Sequence, residues 1–556
     1  MTRFFLFIAT LLLAVTPSVH ADFASDVDLT DAKLLSVQHN QTIKTFDTFA
    51  RDTLFAVTGG KAKFDGKSAA FVVMDMMLRP EPYAAQNLIY VRNKPFREDF
   101  ETLSMIDDSE KKRIVKEGTI SLDFWMKPDV QEAMAKIMSQ ATVKAEAINQ
   151  IAGQAATLAN LLRDDNGFNA LDGLAILPPP GTSGPNERPW AAPRAVIAAA
   201  LAAQRSPTTA PADLAGYSPA VAAKLLGGLE TAQSSWKAQD AAGVKRAFAS
   251  VSEAVHEASP ETYPSLAKRK FELIYNGLFR LTLPGAMVYF VGFVLFLIAW
   301  RTELPWLYRT AVGVTVFGWL VHAAAIGIRW WLVQKSVGNW FEAIPIKNQF
   351  ESVLMSAFFG VTVALVLERW KRLGLFGAAA ACVGMLSLIA IFTAPYVSGR
   401  DIGGEIRQNA GILMTYWLYV HVTLVTASYA LIGMTFVFGV WYVIQYAKNS
   451  DAMVLKTLDD ANLVMLQLAF WILGIGIITG ALWADVSWGR PWGWDPKETF
   501  ALITWIVYLI IIHVRFVTAG RTRALTTGVL SIVGFGVMLF NWIGVNFFLV
   551  GLHSYA

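Results

Sequence analysis

The chain has 556 residues, of which 54% are hydrophobic and only 16% charged, with a mean hydropathy of +0.42. Soluble domains carry about 25% charged and about 45–50% apolar residues, so an ordinary soluble enzyme does not fit. The net charge of +4 gives no case for nucleic-acid binding, and the single cysteine, Cys382, excludes an intramolecular disulfide, a CxxC redox pair and a Cys-rich metal site.

Residues 1–21 read as a signal peptide: Arg3 is the positive end, Phe4 to Val15 the apolar core, and Val19-His20-Ala21 the small-residue cleavage site. An uncleaved anchor is the other reading, but an apolar run of about 12 residues is short for a span. On either reading the region after residue 21 is exported. Residues 22–282 contain no run of spanning length and are rich in helix formers. They are expected to form an N-terminal helical extracytoplasmic domain in two segments, 22–177 and 195–282. A Pro/Gly-rich linker at 178–194, containing Pro178-Pro179-Pro180-Gly181, separates them. Lys112 to Gln150 and Ala212 to Ala258 have the pattern of amphipathic helices, and Ala195 to Ala203 that of an Ala-rich helix. His39 and His256 are the histidines of this region, and both fit surface or capping roles. No catalytic constellation is visible in it.

From residue 283 the character changes. There are eight apolar runs of spanning length, roughly at 284–300, 310–333, 351–367, 373–394, 420–446, 463–483, 500–514 and 526–549. The fold class is therefore an all-α polytopic membrane protein with about eight transmembrane helices. Ten Lys and Arg residues flank the spans on one side, Arg369, Lys371 and Arg372 among them, against six on the other. The positive-inside rule puts the richer side in the cytoplasm. The region 22–282 and the C-terminus then both lie outside, in agreement with the signal peptide.

Ionisable residues inside spans are costly and mark functional sites by default. The membrane half has four histidines: His322, His421, His513 and His553. On the topology above, His421 and His553 stand at outer span ends, while His322 and His513 lie within spans. Paired imidazoles suit a six-coordinate haem iron. Hydrogen-bonded packing and a proton relay also fit the same residues. Of 19 tryptophans, 16 fall after residue 270, as an aromatic belt at the interfaces requires. The outer loop 483–499 departs from a belt. Trp488, Trp492 and Trp494 alternate there with Gly489, Pro491 and Gly493, and Asp495, Pro496, Lys497 and Glu498 come directly after. Pro fixes φ and Gly allows close backbone approach, so the loop is expected to be a rigid, flat platform with a charged rim. Asp495 and Glu498 fit either a helix cap or direct ligand contact.

These stretches carry a resemblance. Trp488-Gly489-Arg490-Pro491-Trp492-Gly493-Trp494-Asp495-Pro496-Lys497-Glu498 resembles the WWD signature of haem-handling proteins in cytochrome c maturation. Trp505, Tyr508, His513 and Arg515 continue the likeness. Within that superfamily the chain is most similar to the CcsA branch, part of the System II cytochrome c synthase. Pro345 to Ser352 resembles the family's PxxNxYES start of a span, with Phe350 where Tyr is usual. Trp417 to Val422 and Asn541 to Tyr555 resemble its two outer-histidine segments. The resemblance covers most of 283–556 and is looser at Val37 to Ala50 and at Tyr275-Asn276.

The resemblance implies that haem b is both substrate and ligand. His421 and His553 match the outer pair on the iron, beside Trp488, Trp492, Trp494 and Asp495. His513 matches a membrane histidine that holds haem on its way out, and His322 is the expected inner partner. The implied partners are the CxxCH segment of apocytochrome c, a separate ResB-like (CcsB) membrane protein, thiol-reducing maturation proteins and membrane lipid. The implied place is a bacterial cytoplasmic membrane. The implied activity is thioether formation with no catalytic thiol in this chain. A haem exporter or chaperone that hands haem to a separate ligase is the alternative, and a transporter of another aromatic anion is a third.

Overall fold

The computed structural model describes residues 23–545 and 549, apart from short stretches at 40–41, 104–105, 141, 166–167, 182–187, 206–215, 338–339, 342, 399–403 and 405–414. The signal segment 1–21 and His553 lie outside the described residues. The chain forms two compact units that divide at Arg269 and Lys270, earlier than the hydropathy shift at 283.

The described residues of the first unit are mainly helical, with three two-stranded sheets that the sequence pattern does not announce. Strands of two to four residues are too short to show a period. Lys112 to Gln150 is not one helix. Gly118 at φ +73° ends the helix Asp108–Glu117, and Pro128 opens the helix Pro128–Gln140. The segment 178–194 has no helix among its described residues before Pro193. Its ends are nonetheless tied, because Leu177 and Ala191 exchange backbone hydrogen bonds of 3.1 and 2.8 Å. The helices on both sides of it feed one core. Trp236, on the helix Pro219–Lys237, packs 5.2 Å from Phe71. Its indole N–H donates to the buried Asp75 (2.8 Å), which also accepts from the Tyr83 hydroxyl (2.6 Å) and from Arg79 (2.9 Å). A buried carboxylate survives only when its lone pairs are filled in this way.

Among its described residues, the second unit contains eight helices long and apolar enough to cross a membrane. They are α1 (Thr282–Thr302), α2 (Pro305–Val337), α3 (Gln349–Lys371) and α4 (Leu375–Ser398), then α5 (Tyr416–Ala447), α6 (Ala452–Trp488), α7 (Pro496–Val517) and α8 (Gly520–Leu539). A π turn, Phe540–Gly544, extends α8. The protein is an integral membrane protein of the all-α class. In hydrocarbon each backbone group must be satisfied within its own helix, so an apolar run of this length has no other stable form. Several helices outrun their apolar runs, because hydrogen bonding continues past the hydrophobic slab. α5 packs along α6, α8 and α3; α1 packs along α2 and α4; α7 lies against α6 and α8.

Three buried carboxylates pin the bundle. Glu368 near the end of α3 accepts from the Tyr308 hydroxyl (2.7 Å) and from the N–H groups of Gly374 (2.7 Å) and Gly377 (3.0 Å), capping the start of α4. Asp459 on α6 takes both guanidinium arms of Arg515 on α7, at 2.5 and 2.9 Å. At the other end Glu351 on α3 accepts from Arg329 on α2 at 2.7 Å, and both side chains are almost wholly buried.

Candidate functional site

At the end of the bundle that carries the Trp-rich loop, four elements converge: the start of α5, the end of α6, the start of α7 and the π turn after α8. His421 sits in the second turn of α5. Its Nδ1 donates to the carbonyl of Gly476 on α6 at 2.8 Å. A carbonyl only accepts, so the proton is on Nδ1 and the lone pair is on Nε2. That is the tautomer a metal-ligating imidazole needs, with the other ring nitrogen oriented by a backbone carbonyl. The ring stacks on Trp483, with centroids 6.0 Å apart and planes 10° apart. Gly480, one helical turn beyond Gly476, leaves the space for the ring. A Cβ built there meets His421 Cε1 and Nδ1 at 2.6 Å. Gly480 therefore makes room for the ring and Gly476 supplies its acceptor, two placements that residue chemistry does not flag. Their only sequence signal is the run of small residues Gly474, Gly476 and Gly480 on one apolar helix.

The loop is shorter than its composition suggests. α6 continues through Trp488 and is closed by Gly489 at φ +69°, so Trp483 and Trp488 are helical residues. Trp488 meets Trp483 at 4.8 Å with planes 63° apart. His421, Trp483 and Trp488 thus form a continuous aromatic series. The loop proper is 490–495. Trp492 and Trp494 stand edge to face, 5.7 Å apart at 88°, and so do not make the expected flat platform. Trp494 is more than two-thirds exposed. Its backbone is left-handed, at φ +56°, a conformation that costs an L-residue about 1–2 kcal/mol. Glu498 holds it there: one carboxylate oxygen accepts from the N–H of Gly493 (2.8 Å) and of Asp495 (3.1 Å), the two residues flanking Trp494.

Asp495 is the N-cap of α7. Its side chain accepts from the Lys497 N–H at 3.0 Å, and with Glu498 it completes a capping box. Of its two sequence readings, the capping role is the one seen. Lys497, a nearby cation on the rim, points instead to the π turn, donating to the carbonyls of Asn541 (2.8 Å) and Trp542 (2.9 Å). The exposed Arg490 guanidinium lies against Gly493, where a side chain would collide with it.

The remaining histidines differ. His513 lies on α7 toward the opposite end and is exposed on the helix surface, its Nδ1 2.8 Å from the Leu509 carbonyl. That bond again leaves the lone pair on Nε2. The face around it is apolar, with Ile503, Ile506, Ile510 and Val517 exposed. His322 on α2 is fully buried. Its Nε2 donates to the Leu354 carbonyl at 2.9 Å, and its Nδ1 faces the Tyr289 hydroxyl at 3.4 Å. Both nitrogens meet protein groups, the arrangement of a packed polar residue. The described contacts do not join His322 to His513, whose helices pack on different neighbours. Among the described residues, no group of three or more His, Cys, Asp or Glu side chains is arranged to hold a bare metal ion. An iron already held by a porphyrin needs only axial ligands, which single imidazoles supply.

Residues 346–553 match the family model described as Cytochrome C assembly protein. Protein NrfI of Wolinella succinogenes is 32% identical over 307 residues, 53% of this chain and 32% of NrfI, so the chain spans about a third of that relative. Cytochrome c biogenesis protein CcsA of Prochlorococcus marinus is 31% identical over 268 residues, covering 40% of this chain and 81% of the relative. CcsA of Mesostigma viride is 29% identical over 253 residues, covering 39% and 80%. The family match takes in α3 to α8, the Trp-rich loop, His421, His513 and His553, and begins after His322.

Proposed function

Because the chain belongs to the family of CcsA cytochrome c biogenesis proteins, we propose that it serves cytochrome c maturation by presenting haem b to an apocytochrome and, with a ResB-like partner, attaching it. The observation that carries this reading is His421, held by Gly476 in the ligating tautomer beside Trp483 and the loop. The membrane is a bacterial cytoplasmic membrane, with residues 22–282, the loop and the C-terminus on the outer side. His513 holds haem on the way and passes it to the outer site, where His421 and His553 are the iron ligands. His322 is left out of the ligand set because both its nitrogens face protein groups.

Trp488, Trp492 and Trp494 supply the apolar walls of the outer site, with Asp495 and Glu498 fixing the loop's shape. The apocytochrome brings its own CxxCH. Each S–H adds across one vinyl group: sulfur bonds to one vinyl carbon and hydrogen to the other. No net electrons are consumed and no protein nucleophile is required, in keeping with a chain whose single cysteine, Cys382, lies within α4. The protein's contribution is positional, holding thiols and vinyls in attacking geometry.

The test is reconstitution. The chain, the ResB-like partner and a CxxCH apocytochrome are expressed together in a host lacking other maturation proteins, and the products are stained for covalent haem. Covalent haem on CxxCH and none on an AxxAH control is the expected result. Haem bound to the chain with no covalent product would replace this reading by that of a haem exporter or chaperone serving a separate ligase.

A further inference from the structure

Lys497 and Glu498 are consecutive residues in the first turn of α7, yet they reach in different directions. Glu498 takes the N–H groups on either side of Trp494 and so sets the loop. Lys497 takes the carbonyls of Asn541 and Trp542 in the π turn that ends α8. A backbone carbonyl carries two lone pairs, and an ammonium is a strong charge-assisted donor to them. The same turn is held from its other side. Asn541 donates to the Tyr429 hydroxyl at 2.8 Å, and Trp542 packs on the Tyr429 ring at 5.1 Å. Tyr429 lies on α5 two helical turns beyond His421. The π turn is therefore bonded on one side to the start of α7, through Lys497, and on the other to the helix carrying His421, through Asn541 and Tyr429.

We infer that Lys497 is a positioning residue: it fixes the end of α8 against α5 and α7, and so sets the geometry in which the outer haem is ligated. This rests on the function proposed above. It also gives Lys497 a role other than pairing with a haem carboxylate, since two of its three N–H donors go to backbone carbonyls. Two charge-assisted hydrogen bonds are at stake, enough to shift a local equilibrium about tenfold or more.

The experiment uses the full-length chain purified with its ResB-like partner, and reads haem content and the absorption spectrum with and without added imidazole. In Lys497→Gln the haem content is expected to stay within about twofold of wild type, while the ratio of six- to five-coordinate haem falls about tenfold. Added imidazole restores the six-coordinate spectrum by replacing the displaced ligand. Lys497→Arg, which keeps a cation for the two carbonyls, retains the wild-type spectrum. Asn541→Ala loosens the same turn from the other side and is expected to behave like Lys497→Gln, so either variant suffices if the other does not fold. A wild-type spectrum in Lys497→Gln, or a loss of haem that imidazole does not change, overturns the positioning role. A wild-type chain that carries no haem overturns the functional reading itself, which is a different outcome.

Discussion

Gly480→Ala is expected to abolish ligation by His421 while leaving the helix bundle at least as stable as before. The added methyl falls 2.6 Å from two atoms of the imidazole ring, so the ring has to swing away. It then loses both the Gly476 carbonyl and the stack on Trp483. Alanine is otherwise favoured over glycine inside a helix by about 1 kcal/mol. General destabilisation is thus not the route to failure. Outer haem retained on purification should fall by about tenfold or more, as in His421→Ala, on the scale of losing one strong ligand interaction. Gly327→Ala, where a Cβ meets nothing within 4 Å, is the control and should be silent. Wild-type haem ligation in Gly480→Ala would show that the ring is not held as described.

The second large effect concerns folding. Glu351→Ala removes the carboxylate that faces Arg329, so the buried guanidinium loses this charge-assisted hydrogen bond. Breaking one side of a buried pair costs about 3–5 kcal/mol, against a total stability of about 5–15 kcal/mol for a typical domain. Glu351 also accepts the backbone N–H of Lys347 at 2.8 Å, so the loop before α3 loosens as well. The expected outcome is a sharp fall in monodisperse protein after detergent extraction and a lower thermal midpoint. Replacing both residues by apolar ones of similar size, Arg329→Met with Glu351→Met, should recover much of the loss, because the pair's desolvation cost goes with it. If the double variant is no better than Glu351→Ala, the damage lies in the Lys347 contact and not in the broken Arg329–Glu351 pair.

How much of this is legible in the sequence depends on the kind of information. The eight spans are, because hydrocarbon imposes length and apolarity on each helix separately. The ends are not: α6 runs 452–488 where the apolar run covers 463–483, since helix hydrogen bonding persists outside the apolar slab. His421 stands out as a costly residue among apolar ones. The glycines that hold it do not, because their role exists only where α5 meets α6. Lys497 reads as part of the loop's charged rim, and only the fold shows its long side chain turned to the π turn. His322 reads as a ligand from its position inside a span, and the structure gives both its nitrogens protein partners. The three-tryptophan cluster is rightly read as shaped, yet its shape is a helix end plus a strained turn rather than a plane. The small sheets of the first unit are invisible for want of length.

On the proposed function, His421 and His553 hold the outer haem. The direct measurement is the absorption spectrum of the purified full-length protein with its ResB-like partner, beside His421→Ala and His553→Ala. The wild type is expected to carry bound haem with a six-coordinate spectrum. In each variant the six-coordinate signal is lost and is restored by added imidazole. Haem-free wild-type protein that still matures cytochrome c, or variants with an unchanged spectrum, would contradict it.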